Sequence, residues 1–153
     1  MFFYDRFFPI INKDNTKYKY KTVVGIGGNE GDVRKRFRNL YIYLKRSSLV
    51  SISETSPILR NPPFGYLDQD DFYNAVMVIR TSLSPKAFLK FLLHVEKIFG
   101  RKRSFKNAPR TLDLDIIFFE DIKINDKTLN IPHSSWSKRE SVVLPLLNLK
   151  RKI

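Results

Sequence analysis

Apolar residues recur along the chain at two spacings, one of two residues and one near 3.6, and the order in which these alternate sketches a fold. Val23, Val24 and Ile26 make a short apolar strand that runs into Gly25 to Gly31, a glycine-rich stretch that predicts a strand-to-helix turn. Val33, Phe37, Leu40, Tyr41 and Leu44 then fall at helical spacing behind Asp32, which is suited to cap the helix. Leu49 to Thr55 alternates weakly as a strand, and Asn74 to Thr81 contains the continuous apolar run of a central strand. Ser84 and Pro85 open a helix whose stripe is Phe88, Phe91, Leu92, Val95, Ile98 and Phe99, and Gly100 ends it. Thr111 to Phe119 predicts another strand. A hairpin of Ile122–Ile124 with Leu129–Ile131 around Asn125 to Lys127 follows, and then a short helix from near Ser137.

Strand, helix, strand, strand, helix, strand is the order of an α+β, ferredoxin-like split βαβ sandwich, an antiparallel sheet with helices on one face. Residues 1–20 show no clean period and read as an N-terminal extension to a single domain over 21–153. Residues 56–72 lack either period and carry Pro57, Pro62, Pro63 and Gly65; a connection of that length is more often functional than not.

Composition narrows the chemistry. A length of 153 residues with 42% hydrophobic and 14% aromatic residues suits one globular core. With no cysteine, disulfides and thiolate metal sites are excluded, and with only His94 and His133 as histidines a histidine-based zinc site is not expected, so any metal is expected to be a hard, oxygen-bound cation. The apolar opening, Met1 to Pro9, is interrupted by charge and proline far short of the roughly 20 residues of a membrane span, and a cytoplasmic protein is expected. The net charge of +13 attracts polyanions, but much of it is scattered lysine of the kind general compositional bias produces. The arginines, by contrast, concentrate between Arg101 and Arg110.

In Leu112-Asp113-Leu114-Asp115-Ile116 the strand period puts both aspartates on one face, about 7 Å apart, and the apolar residues on the other. Like charges side by side on a strand are unfavourable unless cations lie between or beside them. Two readings answer this. The acids pair with neighbouring arginines such as Arg110, or they hold magnesium, which favours one or two carboxylates with phosphate oxygens and water. Arg101, Arg103 and Arg110, with Lys102 and Lys106, carry more positive charge than two carboxylates absorb, and arginine forks suit phosphate. Magnesium-bound ATP and phosphoryl transfer to a small acceptor follow from the second reading. The glycine-rich stretch has neither dinucleotide-fingerprint nor P-loop spacing.

The runs Arg60-Asn61-Pro62-Pro63-Phe64-Gly65, Phe72-Tyr73-Asn74-Ala75, Pro109-Arg110-Thr111-Leu112-Asp113-Leu114-Asp115-Ile116, and Pro132-His133 followed by Arg139 and Leu144-Pro145-Leu146 carry a resemblance. From about Thr22 to Leu149 the chain resembles the 6-hydroxymethyl-7,8-dihydropterin pyrophosphokinase family of folate biosynthesis. The resemblance implies transfer of diphosphate from ATP to the pterin hydroxymethyl oxygen, with two magnesium ions held at Asp113 and Asp115. It implies that Arg101 and Arg110 grip the transferring phosphates, that Arg103, Arg139, His133 and Ile116 border ATP, and that Glu96 orients the arginines. Asn61, Asn74 and the Pro62 to Phe64 backbone would read the pterin amide edge, and Phe72 would stack on its ring. The irregular loops would act as lids.

Three departures from the family pattern stand out. Ser141 replaces a common aromatic, with Phe64 and Trp136 as candidates to take over its wall; Lys106-Asn107-Ala108 replaces Arg-Trp-Gly; and Ser134 replaces an aromatic after the histidine. Rival readings are an RNA-binding module, which calls for exposed aromatics where the aspartates stand, and a scaffold that kept only the fold. The expected partners are the two small-molecule substrates, with no nucleic acid or membrane, acting on a monomer.

Overall fold

The computed structural model describes residues 1–151. Its elements run β1 (Phe2–Phe3), β2 (Ile10–Ile11), β3 (Tyr20–Gly28), α1 (Val33–Arg46), β4 (Val50–Thr55), β5 (Ile58–Asn61), β6 (Phe72–Thr81), α2 (Pro85–Ile98), β7 (Asp113–Phe119), β8 (Ile124–Asn125), β9 (Asn130–Ile131) and α3 (Glu140–Leu147). The main sheet is antiparallel throughout, with β6 and β3 at its centre, β7 beyond β3, and β4 and β5 both paired to β6. This is the α+β, ferredoxin-like arrangement that the periodicities predict.

Capping fixes the helices as the sequence indicates. The Asp32 carboxylate accepts the Lys35 N–H at 3.2 Å, and the Ser84 hydroxyl accepts the Ala87 N–H at 3.3 Å with Pro85 in the first turn. Their apolar stripes, Phe37, Leu40, Tyr41 and Leu44 from α1 and Phe88, Leu92 and Val95 from α2, cover the same face of the sheet. There they meet Val24, Ile26, Ala75, Met77, Ile79, Leu112, Leu114 and Ile116. Among the described residues the opposite face is covered at one end, where Val142 and Leu146 of α3, with Trp136 and Leu149, pack on Val23, Val76, Val78 and Ile117. The other end of that face stays open.

Three features differ from the pattern reading, in the glycine-rich stretch, in residues 56–72 and at the last helix. Gly25, Gly27 and Gly28 are strand residues of β3, and of the glycine-rich stretch only Gly31, at φ +72°, has a turn conformation. Residues 56–72 include β5, a strand too short and too polar at Arg60 and Asn61 to show a period. β4 and β5 are one line of chain along β6, broken where Pro57 offers no N–H; Ser56 bridges the break by exchanging bonds with Val76, its N–H to the Val76 carbonyl at 3.0 Å and its hydroxyl accepting the Val76 N–H at 2.9 Å. The last helix starts at Glu140, after a short 3-10 turn over Trp136–Lys138. The expected hairpin does form, as β8 and β9, and turns on Asp126, which accepts the N–H groups of Thr128 and Leu129.

Residues 1–20 run along the outer side of this broken strand. β1 pairs with β5 and β2 with β4, and between them Phe8 drops into the core against Phe37 and Tyr41. Farther on, Asp14 receives both ends of the Arg80 guanidinium, at 2.9 and 3.0 Å, and the Ser53 hydroxyl at 2.8 Å. The Arg80 hydrogen bond holds the Asp14 carboxyl down at about 2, below its ordinary 3.8. A lowered carboxylate pKa contributes stability that is complete above the unfolded value and is lost as pH falls through the folded one. At pH 7, Asp14→Asn should therefore lower the unfolding free energy by about 1 kcal/mol after solvent screening. Urea titrations should show this gap closing as pH falls from near 4 to about 2. A gap unchanged at pH 2 would contradict the electrostatic origin.

Candidate active site

The cross-strand register builds the site. Gly25 of β3 lies opposite Asp115 of β7 on one side and Val76 of β6 on the other; Gly27 lies opposite Asp113 and Asn74 in the same way. Each aspartate thus has a glycine for a neighbour on the open face, and the missing side chains leave the floor of a cavity of about 440 Å³. A Cβ at Gly27 would stand 2.5 Å from the Asn74 Nδ2 atom, and one at Gly25 3.3 Å from Ile117 Cδ1. A larger open depression of about 680 Å³ at the end of α1 has Arg46 as its one charged lining residue and gathers no comparable chemistry.

Asn61, Pro62, Phe64, Phe72, Asn74, Arg110, Asp113, Asp115 and Arg139 all line this one cavity, although they come from four separate stretches of chain. Arg101, Arg103, Glu96, Ile116 and His133 do not line it. The Ile116 side chain turns into the helix-facing core, as the parity it shares with Leu112 and Leu114 requires, and Ile117 faces the cavity instead. Trp136 packs edge-on against Phe118, ring centres 4.9 Å apart, and so does not replace the aromatic absent at Ser141. Phe64 does reach the cavity wall, with the Arg139 guanidinium 5.8 Å from its ring centre.

Behind the floor lies a network of charge. Asp113 accepts Arg101 Nη1 at 3.0 Å and Arg110 Nη1 at 3.3 Å, and Arg110 also lies over the Phe72 ring at 5.4 Å. Glu96, buried on α2, accepts the Leu114 N–H at 2.7 Å and Arg103 Nη2 at 2.9 Å, and stands 3.9 Å from Arg101. Burial raises the Glu96 pKa, opposed by the Leu114 N–H and the arginines. Glu96 thus contacts Arg103 and Arg101 from behind the floor. His133 is half-buried on the Ile117 carbonyl, and burial followed by the Arg139 charge lowers its pKa.

Asp115 differs from Asp113. Among the described residues no cation comes within ion-pair distance of it and no donor hydrogen-bonds to it. Desolvation, then the charges of Asp113 and Glu96, push its carboxyl well above the usual carboxylate range. An unpaired carboxylate facing a cavity beside a second one is a donor set that suits a hard divalent cation. Near the other wall, the Asn61 and Asn74 side-chain oxygens are buried without hydrogen-bond partners, as are Arg101 Nε and the Thr111 hydroxyl. Buried polar atoms are rarely left unpaired, so the two amides fit a ligand with its own donors.

The sequence reading missed a buried knot at Asn29. Its Oδ1 accepts the Arg110 N–H at 3.0 Å, while its Nδ2 donates to Gln69 Oε1 at 2.8 Å and to the Asp70 carbonyl at 2.9 Å. Gln69 in turn donates to the Asn107 carbonyl at 2.9 Å, so residues 62–71 and the loop before Arg110 are fastened to each other. A lone asparagine after a glycine pair carries no period, and only its burial reveals the role. Lys138, Glu140 and Val142 also line the cavity and had no sequence signal.

A family model described as 7,8-dihydro-6-hydroxymethylpterin-pyrophosphokinase matches residues 23–151. The chain is 43% identical to the 2-amino-4-hydroxy-6-hydroxymethyldihydropteridine pyrophosphokinase of Helicobacter pylori, over 92% of this chain and 88% of that one. It is 45% identical to the protein of the same name from Campylobacter jejuni, over 92% and 90%, and 36% identical to that of Synechocystis, over 92% and 72%.

The close approach at Gly27 is open to test. Gly27→Ala should push the flexible Asn74 amide aside rather than move the strand, so the stability change should stay within about 1 kcal/mol. The Asn74 side-chain amide resonances should shift in a ¹⁵N correlation spectrum. Unmoved Asn74 resonances would mean that the sheet yields instead.

Proposed function

We infer what this chain does from one premise: it belongs to the 7,8-dihydro-6-hydroxymethylpterin-pyrophosphokinase family. It is an ATP-dependent pyrophosphokinase, which transfers diphosphate from ATP to the hydroxymethyl group of 6-hydroxymethyl-7,8-dihydropterin in folate biosynthesis. The hydroxymethyl oxygen bonds to the β-phosphorus, the bond from that phosphorus to the α,β-bridging oxygen breaks, and AMP leaves as a proton is released.

The observation that supports our division of labour is a single cavity with unpaired amide oxygens at one wall and an unpaired carboxylate on its floor. In this reading Asn61 and Asn74 accept hydrogen bonds from the pterin amide edge, the Pro62 to Phe64 backbone closes around it, and Phe72 and Phe64 offer aromatic faces to its ring. Asp113 and Asp115 would hold two magnesium ions, whose chemistry there would be to neutralise the triphosphate. With Asp113 engaged by a cation, the forks of Arg101 and Arg110 that it now holds would be free to take phosphate oxygens. Both then lie where negative charge grows on the transferring group and on the departing AMP. Arg103, anchored by Glu96, and Arg139 and His133 at the rim face the nucleotide side.

Residues 62–71 and the loop before Arg110 close over the substrates and exclude water, linked through Gln69 and Asn29. Both substrates are water-soluble, and among the described residues no helix is long and apolar enough to cross a membrane. We assign the chain to the cytoplasm on the chemistry of those substrates. Nucleic acid is not a partner in this reading, since aspartates occupy the open strand face that an RNA platform fills with aromatics.

Asp113→Ala and Asp115→Ala should each lower the rate of AMP formation by on the order of 10²–10³-fold, with the circular dichroism spectrum and the unfolding transition retained. Chelation by EDTA should stop turnover and added magnesium restore it. Normal turnover in either variant, or after chelation, would sink the assignment of these carboxylates to a metal.

A further inference from the structure

We propose that the N-terminal segment 1–12, through Phe3, positions the amide-reading edge of the cavity. This rests on the reading that Asn61, Phe72 and Asn74 take the pterin. The segment precedes residue 23, where the match to the family model begins.

The geometry that points to this is the isolation of β5. β5 pairs with β6 through Leu59, Arg60 and Asn61 opposite Asn74, Tyr73 and Phe72, and Pro57 separates it from β4. Alternation then divides its neighbourhood in two. Leu59 and Asn61 share a face with Asn74 and Phe72, towards the cavity, while Ile58 and Arg60 share the other face with Tyr73. Without β1, this short strand would be an edge of the sheet with its outer backbone groups unpaired.

β1 fills that edge. Phe2 and Phe3 lie opposite Leu59 and Ile58, and the Arg60 N–H donates to the Met1 carbonyl at 2.9 Å, one residue before Asn61. Phe3 then reaches along the helix-facing side to Tyr73, ring centres 5.9 Å apart, with the Arg34 guanidinium of α1 lying 4.3 Å from the Phe3 ring centre. Arg34 is itself fixed by Asp5, Nε to Oδ2 at 2.9 Å and Nη2 to Oδ1. Phe3 is thus wedged between the helix and the strand that bears Phe72 and Asn74.

The wedge cannot slide, because the chain beyond it is riveted. Phe8 is 1% exposed in the core, and Phe7 stacks on Tyr41 with centres 4.3 Å apart. The Thr55 hydroxyl accepts the Ile10 N–H and donates to the Phe7 carbonyl. Held in this way, β1 fixes the plane of the β5–β6 hairpin from the side opposite the cavity. Phe3 is a positioning residue: it touches no substrate and acts through Tyr73 and β5.

The test is steady-state kinetics of Phe3→Ala, with calorimetry of pterin binding in the presence of magnesium and a non-hydrolysable ATP analogue. Phe3→Ala should raise the KM and the Kd for the pterin by about tenfold while kcat and the KM for ATP stay within about twofold, the pattern of lost binding geometry rather than lost enzyme. Phe3→Tyr, which keeps the ring, should restore the pterin values. If Phe3→Ala does not fold, Phe3→Leu keeps bulk but loses the face that Arg34 covers, and a rise of about threefold in pterin KM is expected. An unchanged pterin KM with a lowered unfolding midpoint, or equal losses for both substrates, would overturn the proposal. Absence of AMP from the unmodified protein would instead refute the functional reading beneath it.

Discussion

The site depends on one constraint, the register of β3 against β7 and β6. Because Gly25 and Gly27 sit opposite Asp115 and Asp113, the same backbone pairing that sends Leu114 and Ile116 into the core also opens a trough beneath both carboxylates. A slip of one residue would bury the aspartates among the helices and expose the leucines, so the hydrophobic core itself enforces the geometry of the floor. Stability and chemistry are set here by one ladder of hydrogen bonds.

Charge is arranged on that ladder in two layers. The buried carboxylate of Glu96 ties the backbone of Leu114 to Arg103 and stands beside Arg101. In front of it, Asp113 is shared by two arginines while Asp115, among the described residues, has no cation within ion-pair distance. An acid left uncompensated in a desolvated place is destabilising in the free protein and becomes favourable once a cation arrives. Of the two arginines that a cation at Asp113 would release, Arg110 already lines the same cavity, whereas Arg101 reaches Asp113 from behind its floor.

Much of this was legible in the sequence where a period or a pair of charges carried it. The alternation through Leu112 to Ile116 gave the face of both aspartates, and caps at Asp32 and Ser84 gave the helix starts. That alternation also sends the Ile116 side chain to the core, although resemblance alone set it beside the nucleotide. Gly25 to Gly28 were harder to read, because glycine signals a turn and a close approach equally, and only the strand partners distinguish the two. β5 escaped because it is short, polar at one end and flanked by prolines. The N-terminal segment escaped because its docking rests on single residues, Phe3 and Phe8, rather than on a repeat. Asn29 and Gln69 act through amides drawn together from distant positions, and no local pattern encodes such a meeting.

The break at Pro57 separates two duties within what would otherwise be one strand. β4 belongs to the core, whereas β5 and residues 62–71 form a hairpin hung on the end of β6. A change in the length of that hairpin's tip would leave every register behind Ser56 untouched, and loop-closure cost grows only slowly with length. Evolution could therefore insert or delete residues there to refit the grip on a substrate, as one changes the jaw of a tool without recasting its handle.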